Sequence, residues 1–213
     1  MPFVVRPRQT VLFVGDSITD CERRGNHAPL GSGYVRMAHE LVLAHYPAHR
    51  LRVINEGISG NTIRDLAQHW TDDVIRHKPD WLSVKIGIND IHQWLRKTER
   101  SVSPQEFAEL YDHILTRARK ETKAKLVLIE PFFISTDRDP KSFRAQVLAD
   151  LPKYGRVVRA MAKKHGGRVV AVHEAFQRAL KHHAPDVFCP EPVHPYASGH
   201  LLIATEWMKA MGS

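Results

Sequence analysis

Residues 11–20 read VLFVGDSITD. Four apolar residues, Val11 to Val14, run without alternation into Gly15, and a polar turn, Asp16-Ser17, follows at once. A strand with one wet face would alternate. An unbroken run of this kind belongs to a strand covered on both sides, as in a parallel sheet. Leu51–Asn55, Trp81–Ile86, Leu126–Ile129 and Arg168–Val172 share the pattern. Between these segments the apolar residues fall at helical spacing. Tyr34, Met37, Ala38, Leu41 and Val42 form one stripe, and Ile63, Leu66, Ala67, Trp70 and Val74 a second. Phe107, Leu110, Tyr111, Ile114, Leu115 and Ala118 form a third. It is opened by Ser103-Pro104-Gln105-Glu106, a capping box with proline at the first helical position. A further helix is expected from Tyr154 to His165, after Pro152. A last one is expected from Ser198 to Met211, with Leu201, Ala204, Trp207 and Met208 turned inward. Strands alternating with helices predict parallel pairing through right-handed crossovers. The expected fold is α/β: a single domain over 1–213, a three-layer α/β/α sandwich around a five-stranded parallel sheet.

The chain has 213 residues, with 31 Lys and Arg against 23 Asp and Glu, a formal charge of +8. The basic residues are scattered in short pieces, Arg23-Arg24, Lys163-Lys164 and Lys181 before His182-His183. That predicts a solvated basic surface and no nucleic-acid partner. No apolar run approaches the ~20 residues needed to span a bilayer, so no membrane partner is expected. Residues 1–10, MPFVVRPRQT, lack the apolar core of a secretion signal. Two cysteines, Cys21 and Cys189, make no disulfide scaffold. A cytoplasmic location is therefore expected. Histidine is abundant, but no HExxH occurs and His45 and His49 straddle Pro47. Neither a metal site nor a cofactor is expected.

In sheets of this class ligands bind beyond the carboxyl ends of the strands. Gly15-Asp16-Ser17-Ile18-Thr19-Asp20 follows the first strand, and Glu56-Gly57-Ile58-Ser59-Gly60-Asn61-Thr62 the second. Gly87-Ile88-Asn89-Asp90 follows the third, and Glu191-Pro192-Val193-His194-Pro195 precedes the last helix. One rim thus collects a hydroxyl, an imidazole, a carboxylate, a carboxamide and glycines, the groups that acyl transfer through serine requires. Taken singly, Ser17 reads as a helix cap, Asn89 as a turn residue, Gly60 as a loop glycine and His194 as structural. Their joint placement at one rim favours chemistry. A GxSxG elbow is absent, since Gly57-Ile58-Ser59-Gly60 lacks the last glycine at the required spacing. A GK[ST] phosphate loop and a GxGxxG after a strand are absent too.

At these residues the chain resembles the SGNH, or GDSL, hydrolases. All four blocks of that family occur in order: Gly15-Asp16-Ser17-Ile18, the segment ending at Gly60, the one containing Asn89 and the one containing His194. The runs GDSITD, GISGNT, RDL, KPDW, GIND and YGRVV look most like bacterial acetylxylan esterases of the SGNH type. The resemblance implies a flavodoxin-like sandwich, with Ser17 as nucleophile and His194 as base and then acid. It also implies an oxyanion hole built from the Ser17 N–H, the Gly60 N–H and the Asn89 amide. The acid of the triad lies three residues before the histidine in the family. Glu191 stands there in place of the usual Asp, and Asp186 is the substitute acid. Gly60 would be glycine for close backbone approach or for a positive φ.

Asp16, Asn61 and Trp94 are candidate substrate-binding residues, although Asp16 and Asp20 also read as local hydrogen-bonding groups. Cys21 lies four residues after Ser17 and reads as an approach to the site or as a buried inert thiol. Trp94, Trp207 and Tyr196 are aromatic candidates for a sugar platform or a homo-oligomer interface. The longest extra piece, Pro131–Lys153, carries Phe132, Phe133 and Phe143 but no apolar lid. The expected substrate is therefore a small acyl ester, an acetylated sugar such as a xylo-oligosaccharide. The alternatives are a broad short-chain esterase, thioesterase or lysophospholipase, and a catalytically impaired carbohydrate-binding protein.

Overall fold

A computed structural model describes residues 3–212. Five strands form one sheet: β1 (Thr10–Gly15), β2 (Arg52–Gly57), β3 (Trp81–Lys85), β4 (Lys125–Ile129) and β5 (Arg168–Val170). They are ordered β2-β1-β3-β4-β5, and every pairing is parallel. The continuous apolar runs earn their place here, because every residue of β3 is buried and so is nearly all of β1.

The helices are α1 (Ser17–Asp20), α2 (Tyr34–His45), α3 (Ile63–Trp70), α4 (Ile88–Arg96), α5 (Pro104–Glu121), α6 (Phe143–His165), α7 (Val172–Ala179) and α8 (Ala197–Ala210). The first crossover, β1 to β2, steps one way across the sheet and the later ones step the other way. Right-handed connections then put α2 on one face and α3, α5 and α6 on the opposite face. The packing agrees: α2 lies against α8, while α5 lies against both α3 and α6. Gly15, Gly57 and Lys85 end their strands level with one another. The loops after β1, β2 and β3 therefore leave the sheet side by side, at the point where strand order reverses.

Several expectations are corrected. The helix foreseen from Tyr154 begins at Phe143, where the Ser142 hydroxyl accepts from the Ala145 N–H at 3.0 Å, and it runs through Pro152. The proline removes one backbone donor, but Val147, Leu151, Tyr154, Val158 and Ala162 keep an unbroken buried stripe across it. Much of the supposed extra piece is thus helix. The fifth strand stops at Val170, and Val172 already opens α7.

The Ser103 box is half made. Its hydroxyl accepts from the Glu106 N–H at 3.1 Å, but the Glu106 carboxylate pairs with Arg64 instead. The complete box is at Thr62 and Asp65, opening α3. In α8 the inward stripe is His200, Ile203, Ala204, Trp207 and Met208, and Leu201 is exposed. Trp207 is no surface platform: it is buried, and its indole N–H donates to the Ser83 hydroxyl at 2.9 Å. No helix among the described residues is long and apolar enough to cross a membrane.

Candidate active site

β1 delivers Ser17 through a tight turn. Gly15 is held there by crowding, because a Cβ on it would stand 2.2 Å from the Lys85 carbonyl oxygen. Asp16 then caps α1, its Oδ1 accepting from the Ile18 N–H at 3.1 Å. Beneath this turn Lys85 closes β3 with its Nζ 3.1 and 3.0 Å from the two Asp16 oxygens. Both side chains are fully buried. The ammonium also lies 5.0 Å from the centre of the Phe132 ring. Burial pulls the lysine below its ordinary pKa, and Asp16 opposes that pull.

The Ser17 hydroxyl meets His194 Nε2 at 2.8 Å. On the other side of the ring, Nδ1 is 2.5 Å from Glu191 Oε1. A carboxylate only accepts, so Nδ1 carries the proton and Nε2 is left to accept from the serine. Glu191 is itself pinned by its own turn: the His194 N–H donates to Oε1 at 2.7 Å and the Val193 N–H to Oε2 at 3.0 Å. The extra methylene relative to Asp is absorbed by this backward fold. Burial alone would raise the Glu191 pKa, but the bonds from His194 and the backbone outweigh it and hold the carboxyl below its usual value. The same carboxylate raises the His194 pKa. Asp186 sits exposed in the short turn Pro185–Val187 and makes no hydrogen bond to His194.

Asp20 ties the first loop to the second: its Oδ2 accepts from the Ser59 N–H at 3.1 Å and from the Ser59 hydroxyl at 2.9 Å. Asn55 does the same from below, its amide donating to the Thr19 carbonyl at 2.6 Å and the Leu30 carbonyl at 2.8 Å. Gly60 has φ +81 and open space around its missing side chain, so the turn and not crowding demands glycine. The Asn89 amide, in the first turn of α4, donates to the Asn61 carbonyl at 2.9 Å. Its neighbour Asp90 accepts from the Ile63 N–H at 3.0 Å, and burial pushes the Asp90 carboxyl up to about 7.

An open cleft of about 420 Å³ lies at the Ser17 hydroxyl, with Cys21, His27, Ser59, His194 and His200 among its walls. Cys21 does approach the site, and it stays a thiol: burial, with help from Asp20 and Asp16, pushes it up to about 12. Its sulfur is 3.5 Å from His200 Nε2. Burial drives His200 down to about 4, and its Nδ1 accepts from the Tyr34 N–H at 3.2 Å.

The three candidate substrate-binding residues do not meet at this cleft. Asp16 is buried against Lys85, Asn61 is buried with its amide turned to His69, and Trp94 is exposed on α4 away from the cleft lining. An acidic or amide group beside a catalytic loop reads as a ligand contact in sequence, yet here both serve the loop itself. Lys85 was the missed partner, and its signal was a lysine inside the apolar strand WLSVK. Among the described residues no group of three or more His, Cys, Asp or Glu is placed to hold a metal ion.

The geometry agrees with what known proteins show. The profile of the GDSL-like Lipase/Acylhydrolase family matches residues 13–202. An acetylxylan esterase of Geobacillus stearothermophilus is 35% identical over 215 residues, covering 96% of this chain and 94% of that one. The crystal structure of that organism's acetylxylan esterase Axe2 superposes with a TM-score of 0.90 at 35% identity, covering 99% and 97% of the two chains. LAE5, an alpha/beta hydrolase enzyme from the metagenome of Lake Arreo, superposes with a TM-score of 0.90 at 34% identity over 99% and 98%. Structures described as catalytic mutants of Axe2 replace a serine, an aspartate or a histidine by alanine.

Proposed function

The chain belongs to the GDSL-like lipase/acylhydrolase family and is a carboxylic ester hydrolase, and from that premise we propose that it removes acetyl groups from xylo-oligosaccharides through Ser17. The observation that carries this reading is the unbroken line from Ser17 Oγ to His194 Nε2 at 2.8 Å and from His194 Nδ1 to Glu191 at 2.5 Å. The serine oxygen attacks the acetyl carbon while its proton passes to Nε2. The negative charge that builds on the acetyl oxygen is met by the N–H groups of Ser17 and Gly60 and by the second amide hydrogen of Asn89. Each such donor supplies about 3 kcal/mol to the transition state. The tetrahedral adduct collapses, His194 returns the proton to the departing sugar oxygen, and an acetyl-serine remains. Water, deprotonated by His194, attacks that ester, and acetate leaves as Ser17 regains its proton.

The small, open cleft walled by Cys21, His27, Ser59 and His200 favours an acetyl group on a polar alcohol over a long acyl chain. The relatives named acetylxylan esterase support the sugar. The two free cysteines fit a reducing cytoplasm, and the exposed Trp94, Tyr196 and Leu201 offer surface for a homo-oligomer. The test is hydrolysis of p-nitrophenyl acetate, butyrate and octanoate and of acetylated xylobiose, by wild type and Ser17→Ala. Acetate and the acetylated sugar are expected to be cleaved, octanoate poorly, and all activity lost in the variant. Faster cleavage of octanoate would shift the reading to a broad esterase, thioesterase or lysophospholipase. A wild type that fails to label at Ser17 with a fluorophosphonate would shift it to a carbohydrate-binding protein.

A further inference from the structure

Behind the second loop lies another carboxylate–imidazole couple, which the acyl-transfer steps above do not use. His69 is in the last turn of α3, and Asp73 follows in a π-helical turn, Thr71–Ile75. His69 Nδ1 stands 2.7 Å from Asp73 Oδ2. Both atoms are buried, the approach is a charge contact outside hydrogen-bond geometry, and neither atom has a hydrogen-bond partner. The opposite ring nitrogen, Nε2, is 2.9 Å from the Asn61 amide nitrogen. An amide nitrogen only donates, so Nε2 accepts and the ring's proton is on Nδ1, the nitrogen beside the carboxylate. Asn61 is buried and directly follows Gly60, and its backbone carbonyl is the group that accepts from Asn89. The line therefore runs Asp73, His69, Asn61 and then Asn89, with Gly60 on the adjoining peptide.

Two features make this line more than incidental packing. A π turn is uncommon and poorly stabilised, and it tends to be kept where a side chain must be aimed. Here it carries Asp73, so the change of helical register bears directly on where that carboxylate points. The loop it acts on is also held in part from outside. Gly60 has φ +81 with open space where a side chain would stand, so its backbone N–H takes its direction from the contacts that hold its own carbonyl and its neighbours. Those contacts are the Arg100 guanidinium donating to the Gly60 carbonyl at 3.2 Å, the Asn61 N–H donating to the Ile58 carbonyl at 3.2 Å, Ser59 held by Asp20 on one side and Asn61 held by His69 on the other.

We propose that His69 and Asp73 are positioning residues that act through Asn61 to aim the Gly60 N–H and the Asn89 amide at the acyl oxygen. The proposal rests on the acyl-transfer reading of Ser17. In acyl transfer the oxyanion exists only in the transition state and the tetrahedral intermediates, so an error in donor position falls on kcat more than on KM. A displacement near 1 Å costs about a hundredfold.

The experiment compares p-nitrophenyl acetate kinetics for wild type, His69→Phe, His69→Gln and Asn61→Ala. His69→Phe keeps a flat ring and loses the acceptor, and a fall in kcat of about ten- to a hundredfold with KM within twofold is expected. His69→Gln restores an acceptor and is expected to recover most of that loss. Asn61→Ala cuts the same link from the other side and is expected to match His69→Phe, with the double variant no worse than either alone. Weaker inhibition by a boronic acid, which forms a tetrahedral adduct on serine, should track the loss in kcat.

An unchanged kcat in folded His69→Phe, equal loss in the Gln and Phe variants, or full additivity with Asn61→Ala would overturn the proposal. If His69→Phe does not fold, the pair Asn61→Ala and His69→Gln decides: the first must lose kcat and the second must largely keep it. Fluorophosphonate labelling of the wild type separates the two layers. Labelling at Ser17 with indifferent His69 variants sinks only this inference, whereas no labelling sinks the acyl-transfer reading beneath it.

Discussion

Two carboxylate partnerships, one with an imidazole and one with an ammonium, meet at Ser17, and they are built in opposite ways. Glu191 and His194 lie in one short turn, with 44% and 57% of their side chains exposed. Asp16 and Lys85 come from two neighbouring strand ends and are fully buried. In the proposed mechanism the exposed pair holds a group that must gain and lose a proton in every turnover, and water lowers the cost of that change. The buried pair takes no part in proton transfer, and each partner stabilises the other, since an isolated buried charge would be costly. Burial thus separates the pair that does chemistry from the pair that holds the stage.

Removing Glu191 is the largest way to break this contrast. Glu191→Ala is expected to lower kcat by about 10³–10⁴, while its melting temperature stays near wild type because the side chain is half exposed. If instead Asp186→Ala collapses activity and Glu191→Ala does not, the assignment of the acid is wrong. Lys85→Met should act the other way round. It leaves Asp16 charged and alone, and a stability loss of about 3–5 kcal/mol is expected in urea unfolding. Adding Asp16→Asn, which keeps an oxygen for the Ile18 N–H, should return most of that loss. A double variant as unstable as the single one would show that packing, not charge, is what Lys85 supplies.

The pH profile sharpens the comparison further. His194 must be neutral to accept the serine proton, so activity falls as pH drops through its raised pKa. Glu191 raises that pKa through its hydrogen bond, Asp16 raises it further and Lys85 lowers it. Glu191→Gln should therefore move the acid limb of kcat/KM to lower pH. Lys85→Met, in whatever fraction folds, should move it to higher pH. Limbs shifting in the same direction would contradict the geometry. The smallest effect is expected for Glu191→Asp, which stays within about tenfold of wild type because the turn still presents a carboxylate to Nδ1.

What could be read in the sequence divides along the same line. The strands were legible because burial on both faces leaves an unbroken apolar run, as in Val11 to Val14. Ser17, Gly60 and Asn89 stand after successive strands and His194 before the last helix, and it was the resemblance to the family's four blocks that attached roles to them. The long helix through Pro152 was not, since a local breaking signal is outweighed only by a buried stripe whose partners lie elsewhere in the chain. Asn61 and Asp16 were read outward, toward substrate. Nothing local distinguishes a polar residue that meets a ligand from one that meets His69 or Lys85 across the fold. The π turn after Trp70 has no sequence mark at all.

The serine and its histidine are 177 residues apart in the chain. At ribosomal speeds of about 5–20 residues per second, roughly 10–35 s separate the synthesis of one from that of the other. If Ser17 and His194 act as proposed, the nascent protein through that interval holds a nucleophile with no base to activate it. Hydrolysis begins only when the segment before α8 has emerged and docked. Ester cleavage is therefore a report on completed folding: any chain cut short before His194 is silent, however much of its sheet has formed.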